Sequence, residues 1–520
     1  MAHGQHNLRM QAGDDLVFSS CPGRLAEALL FIALLSLILL RAHPWDCLVG
    51  YDQAKQAYAS LEMIQDGSWW YPHLPTGHPA TKPPLMGWIS AALYAISGGW
   101  WEGAWRLPSL LAFFVTLSIL KRAARRAGGA WGAYAAAGVL AVNMFTIRMA
   151  TLVRTDMLLA MLIFAGGVLI WHKIRGDAAW TWRSRLLLAG IVLASCFTKG
   201  PVVFVYLLLP LLVWRWLVRR RPDAARAWSG WSPWLIPAAI FFLWIFIGRR
   251  LDPQFFQMVV LREFGGNFAA VTVDGSGHAL ATGRHFSMIL TYPLQLLHRL
   301  FPWSIVLVAW AVVDRDGRRR LMADRGSRWL LVWFSVSVLL MSLVPNKRAD
   351  RIFPVVPPLA LLFASAIRAA SWRARPAWNP RRIIYALTVV AVLLWGGYAA
   401  FTVLKDSGNR ERSEERARRD FCVQVRAWEH AQKRSVKVVG PVSDREQSLL
   451  VYLRRTTWLS RDDMAKELAR GSALLAPLNE LTNHPCVIVL SPPAPGRVEG
   501  CYALGVETSI KALKEKGGGP

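Results

Sequence analysis

Acidic residues are scarce in this sequence: 33 Asp and Glu stand against 61 Lys and Arg in 520 residues, a formal net charge of +28. Cysteine is scarcer still. Its six positions, Cys21, Cys47, Cys196, Cys422, Cys486 and Cys501, show no zinc-ligand spacing, so no metal site is expected from them. No internal repeat and no glycine-rich phosphate-cradling motif is present. The basic excess forms neither a tail nor a stripe. It is parcelled between apolar runs, which argues against nucleic acid as a partner. A small-residue cleavage site is also missing after the first apolar run, 25–40, so that run is expected to stay as an uncleaved span.

Long apolar runs are what the chain has in excess. It is 54% hydrophobic with 26 Trp. The runs 25–40, 107–120, 152–171, 202–217, 235–247, 330–343 and 383–400 approach the roughly 20 apolar residues that cross a bilayer. Soluble cores do not present so many in series. Trp and Tyr near the run ends suit the membrane interface. The fold class implied is mainly α: a polytopic transmembrane helical bundle with a small C-terminal extracytoplasmic α/β domain.

Lys and Arg in the short loops set the orientation. Basic clusters at 121–126, 172–185, 219–226, 315–328 and 368–382 are placed in the cytoplasm. The segments 46–106, 148–151, 198–200, 249–285, 345–351 and everything after 404 then face outward, in the cell (inner) membrane. This gives about eleven spans with the N-terminus inside. Thirteen is the alternative, because 286–313 is long for one span. The apolar stretch 85–96 is read as a helix lying in the interface. The domain division is 1–405 for the transmembrane part with a large first outer loop, 42–105; then 406–420 as a charged linker; then 421–520. In the tail, 435–440, 486–490 and 502–506 read as strands and 461–470 as a helix. Cys196 reads as a small packing residue. A disulfide among Cys422, Cys486 and Cys501 is allowed if the tail is outside.

The topology gathers ionisable residues on one side: Asp52, Lys55 and Lys82; Arg154 and Asp156; Lys199; Glu263 and His285; Lys347, Arg348, Asp350 and Arg351. Such groups at membrane depth are costly and usually functional. Each Lys or Arg, taken alone, also fits a snorkelling span end. Asp156 fits that less well, because a short carboxylate cannot reach far. Together they suggest a cavity for an anionic, lipid-linked substrate, with cations on phosphate and a carboxylate as base or cation stabiliser.

The motif order adds a resemblance. Asp52-Gln53-Ala54-Lys55, Glu62-Met63, Gly67-Ser68-Trp69-Trp70-Tyr71-Pro72-His73-Leu74, Thr81-Lys82-Pro83-Pro84-Leu85 and Arg106-Leu107-Pro108-Ser109 follow one another in the first outer loop. Arg154-Thr155-Asp156-Met157, Thr198-Lys199-Gly200-Pro201, His285 ahead of Pro302-Trp303-Ser304, and the stretch from Lys347 to Pro358 continue the series. Over about 24–405 the chain resembles the C-type glycosyltransferase superfamily, in particular the lipid A aminoarabinose transferases and protein O-mannosyltransferases. The resemblance implies a glycosyltransferase that moves a sugar from a polyprenyl-phosphate donor to a lipid, glycan or protein acceptor outside the cytoplasm, among membrane lipids.

By that resemblance Asp52 is the catalytic carboxylate, supported by Asp156. Lys55, Lys82, Arg154, Lys199, Lys347, Arg348 and Arg351 are donor-phosphate candidates, and Glu263 and His285 substrate-binding ones. The departures are Gln53, Thr81, Phe264 and Arg351. Thr81 and Phe264 stand where the aminoarabinose branch has metal-linked Glu and His, so no metal and no cofactor is expected. The rival readings are a polytopic transporter or lipid flippase, with midplane charges and repeated halves, and a catalytically inactive relative.

Overall fold

The computed structural model describes residues 21–42, 47–98, 102–220, 228–265, 271–273, 279–281, 289–345, 347–371, 386, 389–390, 392–398, 400–401, 410–440, 447–470, 472–477 and 502–505. It divides into two compact units. The first holds Met1–His43, Thr81–Met86 and Arg106–Phe401; the second holds Pro44–Ala80, Gly87–Trp105 and Thr402–Pro520.

The first unit is a bundle of apolar helices. Five are long and apolar enough to cross a membrane: Gly103–Gly129, Thr155–Arg175, Ser232–Leu251, Arg325–Leu343 and Ala349–Ala369. Two bent pairs raise the number to seven: Gly132–Ala141 with Met144–Thr151, bent by 63°, and Thr291–Arg299 with Trp303–Val313, bent by 107°. Among the described residues this falls short of the expected eleven to thirteen. Hydropathy counts apolar length and does not see breaks, and 286–313, too long for one span, holds a sharp bend. The stretch Leu85–Ile96 is a 12-residue helix. At about 1.5 Å per residue it covers roughly 18 Å, well under the bilayer core.

Helix Val356–Ala369 is buried along almost its entire length, at the centre of the bundle. It packs on Leu107–Ala141. A methyl group at Gly128 would stand 2.4 Å from the Ala364 carbonyl oxygen, so glycine is what lets these backbones meet. The outer helix Ser232–Leu251 exposes Leu235, Ile236, Phe242, Leu243 and Phe246. A ridge of that kind is stable against lipid and unfavourable against water. Trp differs in part from expectation. Trp171, Trp234, Trp329 and Trp333 are wholly buried in the bundle, where Trp329 and Trp333 stack with centroids 6.1 Å apart. Cys196 is buried within Trp182–Lys199, as a packing residue should be.

The second unit contains helix Tyr51–Gln65, helix Arg410–Gln432 and a four-stranded sheet. The sheet order is Leu459–Ser460, Val436–Gly440, Ala473–Pro477, Tyr502–Gly505. The first three strands run parallel and the last is antiparallel. Helix Arg461–Ala469 lies where a helix was expected. Strand 486–490 falls outside the described residues, with Cys486 and Cys501; Cys422 is buried. The segment 406–420 departs from the linker expected there, being helical from 410 onward as the start of Arg410–Gln432. Its charge suggested a loop, but its Arg and Glu are good helix formers.

Candidate functional site

Helix Thr155–Arg175 begins at Arg154, which has extended backbone angles, and carries Asp156 in its first turn. A carboxylate there meets the positive end of the helix dipole. Lys199 is the last residue of Trp182–Lys199, where a cation meets the negative end. Gly200 then turns the chain away at φ 76°, and Pro201 stands just before the next helical segment, where its missing N–H costs little. A methyl group at Gly200 would stand 2.4 Å from the Phe264 ring, so the ring rests on bare backbone.

These elements converge on one charged cluster. Lys199 donates a hydrogen bond to Asp156, which is almost wholly buried. Arg154 Nε lies 3.0 Å from the other Asp156 oxygen, and its guanidinium donates to Asp350 at 2.8 Å. Lys199 stands 4.0 Å from Asp350, and Arg348 Nε is 3.3 Å from it. Lys82 donates to Glu263 on the widened π-helical stretch Phe256–Gly265. Burial pulls the Lys82 ammonium below its ordinary value, Glu263 draws it back up, and Lys199 lowers it further.

Lys82, Lys199, Glu263, Asp350 and Arg351 line a pocket of about 690 Å³, counted to its open mouth. Leu159, Pro201, Val202, Met341 and Val344 form its apolar wall, with Tyr206 and Phe264. Two tyrosines fix the 347–351 segment from behind. Tyr206 donates to the Arg351 carbonyl, and Tyr292 donates to the Arg348 carbonyl at 3.1 Å. Five cations (Lys82, Arg154, Lys199, Arg348, Arg351) thus face three carboxylates (Asp156, Glu263, Asp350). The excess of positive charge beside an apolar wall suits an anion attached to a hydrocarbon.

Residues 81–247 match the family of dolichyl-phosphate-mannose-protein mannosyltransferases. Two curated relatives are undecaprenyl phosphate-α-4-amino-4-deoxy-L-arabinose arabinosyl transferases, each designated 2. The one from Pseudomonas fluorescens is 25% identical over 61% of this chain, and the one from Sodalis glossinidius 25% over 66%. The matches span 52% and 61% of those relatives' own length. The crystal structure of ArnT from Cupriavidus metallidurans bound to undecaprenyl phosphate superposes with a TM-score of 0.69. It is 16% identical and covers 94% of this chain and 98% of that one. This chain has the C-type glycosyltransferase fold.

Within that fold, the sequence motifs are brought together unevenly. Lys82, Arg154, Asp156, Lys199, Glu263, Arg348 and Arg351 belong to the cluster or its pocket. Lys347 instead turns back on the end of helix Arg325–Leu343, donating to the Ser342 carbonyl and to that of Val344 at 2.5 Å. Asp52 and Lys55 lie one turn apart at the start of Tyr51–Gln65, in the second unit. His285 falls outside the described residues.

Asp350 holds the cations together, yet the motif reading gave it no role. Its only signal was a carboxylate set among Lys347, Arg348 and Arg351. Tyr206 and Tyr292 gave no signal. The positions that would supply metal ligands do not fit one. Phe264 has no ligand atom, Thr81 offers a buried hydroxyl, and no group of three His, Cys, Asp or Glu suited to a metal occurs among the described residues.

Proposed function

We propose that this chain is a membrane glycosyltransferase. It transfers a sugar from a polyprenyl-phosphate donor to the hydroxyl of a lipid, glycan or protein acceptor on the extracytoplasmic side. The observation that carries the reading is the pocket in which cations outnumber carboxylates beside an apolar wall. The phosphate of the donor sits among Lys82, Lys199 and Arg351, and the prenyl chain lies on the apolar side. Asp156 and Asp350 keep Lys199 in place, and Arg154 bridges the two carboxylates. Arg348 helps hold Asp350. Glu263 orients Lys82 and relieves like-charge repulsion when no donor is bound. His285 is retained as a substrate-binding residue on its motif alone.

Asp52 is the base, on the strength of its motif position. It takes the proton of the acceptor hydroxyl as that oxygen attacks the anomeric carbon. The carbon–oxygen bond to phosphate breaks, and polyprenyl phosphate leaves with the electron pair, its charge met by the cations. The region 421–520, read as a small α/β domain, is assigned to the extracytoplasmic side.

The test is transfer of a labelled sugar from polyprenyl phosphate by the purified protein. Asp52→Asn keeps the shape and removes the base, so kcat should fall about 10²–10⁴-fold. Near-normal turnover in that folded variant sinks the assignment.

A further inference from the structure

Helix Tyr51–Gln65, which carries Asp52 and Lys55, is held at its entry, middle and end by one short stretch of the C-terminal region, residues 452–458. At the entry, the buried Leu48 N–H donates to the Tyr452 hydroxyl at 2.7 Å. Tyr452 in turn donates to Glu415 at 2.9 Å. Glu415 is itself buried and receives Arg418 at 2.8 Å. The Leu48 N–H can only donate, so the phenol oxygen accepts there and its single proton goes to Glu415. The bond has one direction and fixes the backbone four residues before Asp52.

In the middle, the Tyr58 hydroxyl donates to the Thr456 carbonyl at 3.0 Å. At the end, Gln65 donates to the Arg454 carbonyl at 2.7 Å, and the Thr456 hydroxyl donates to Asp66 at 3.1 Å. Arg454 takes a left-handed φ of 58° in doing so, a conformation a non-glycine residue rarely holds without compensation. Trp458 fastens the loop beyond the helix, donating to the Pro75 carbonyl at 2.9 Å. All these residues lie within the second unit.

We infer that the 452–458 segment is a positioning clamp for the Asp52 helix, with Tyr452 its principal positioning residue, so that the C-terminal region sets the geometry of the base. This rests on the reading of Asp52 as the base. A packing role alone would place apolar contacts along the helix. It would not require directed bonds at three stations from a segment of seven residues.

The test uses the full-length protein in detergent or nanodiscs. Tyr452→Phe keeps the ring and removes the hydroxyl. Amide exchange in the peptide around Leu48–Ala54 should quicken at least tenfold, with helix Thr155–Arg175 unchanged. kcat should fall roughly ten- to a hundredfold, the scale of a mispositioned catalytic group, while the donor KM stays within twofold. Glu415→Gln retains an oxygen acceptor and should restore most of what Glu415→Ala loses.

Unchanged exchange around Leu48–Ala54 overturns the clamp whatever the activity. Faster exchange with normal kcat overturns its catalytic purpose. If exchange quickens but Asp52→Asn turns over normally, the clamp stands and the assignment of the base fails. Should Tyr452→Phe not fold, Tyr58→Phe removes the middle bond alone and is read in the same way.

Discussion

Lys82 and Lys199 carry positive charge into a pocket with an apolar wall, and each reaches a carboxylate there. The arrangement costs desolvation and leaves the site short of negative charge until an anion arrives. Lys82 is sensitive to pH, because burial holds its ammonium below the ordinary lysine value. The free enzyme therefore loses that proton at a pH under 10.5, and the donor phosphate then meets a neutral amine. kcat/KM for the donor, which reports the free enzyme, should fall on its alkaline side as pH rises through this lowered value. Lys82→Arg stays protonated across the range, so this limb should disappear or move upward while activity near neutral pH persists. An alkaline limb that does not move separates Lys82 from the phosphate.

Phe264 sets a second expectation. A divalent ion needs several oxygen, nitrogen or sulfur ligands in fixed geometry. Transfer should survive exhaustive chelation and gain nothing from added zinc, magnesium or manganese. A steep loss restored by one of these metals would show that other outer residues build the site.

At the scale of elements, local sequence made some pieces legible and left others hidden. The Thr198-Lys199-Gly200-Pro201 turn was readable as a motif, and three of its residues have a backbone reason to be there: Lys199 is a cation at a helix end, Gly200 takes a positive φ and Pro201 precedes the next helical segment. The apolar helices were readable by the length of their apolar runs. Hidden were the breaks, such as the 107° bend within 286–313, and the strands Leu459–Ser460 and Ala473–Pro477, too short or too mixed to stand out. The roles of Asp350 and Tyr206 were also hidden, since Asp350 meets Arg154 across 196 residues and Tyr206 meets Arg351 across 145, and no spacing encodes such pairs.

The turn yields its own prediction. Gly200→Ala would place a methyl group against the Phe264 ring while holding an L-residue at φ 76°. Strain and overpacking together should destabilise the protein by about 2–5 kcal/mol, read as a lower melting temperature in detergent. Phe264→Ala in the same chain should return the packing share and leave the backbone share. Additive effects of the two substitutions would mean that the ring does not rest on the turn.

At the scale of the whole molecule, the basic clusters mark one end of the helical bundle. Four of the basic clusters assigned to the cytoplasm meet at one end of the first unit. Arg126 contacts His172 at 3.3 Å, Arg325 pairs with Asp177 at 3.2 Å, Arg320 donates to the Ala369 carbonyl at 2.8 Å, and Arg368 donates to that of Ala127 at 3.4 Å. Helix Thr155–Arg175 links this end to the other, for Asp156 begins it and His172, Lys173 and Arg175 finish it. Its 21 residues span about 31 Å at 1.5 Å each, close to the hydrocarbon thickness of a bilayer. The charged pocket and the basic ring therefore stand about one helix length apart. The tendency of short basic loops to stay in the cytoplasm predicts that the pocket lies outside. A membrane-impermeant maleimide added to intact spheroplasts should label Thr76→Cys, at an exposed tip of the first loop, and spare Arg319→Cys, which is also exposed but lies in the basic ring. Permeabilisation should then open Arg319→Cys to label. The reverse order, with Arg319→Cys reacting first, would place the pocket in the cytoplasm and require a donor presented on that leaflet.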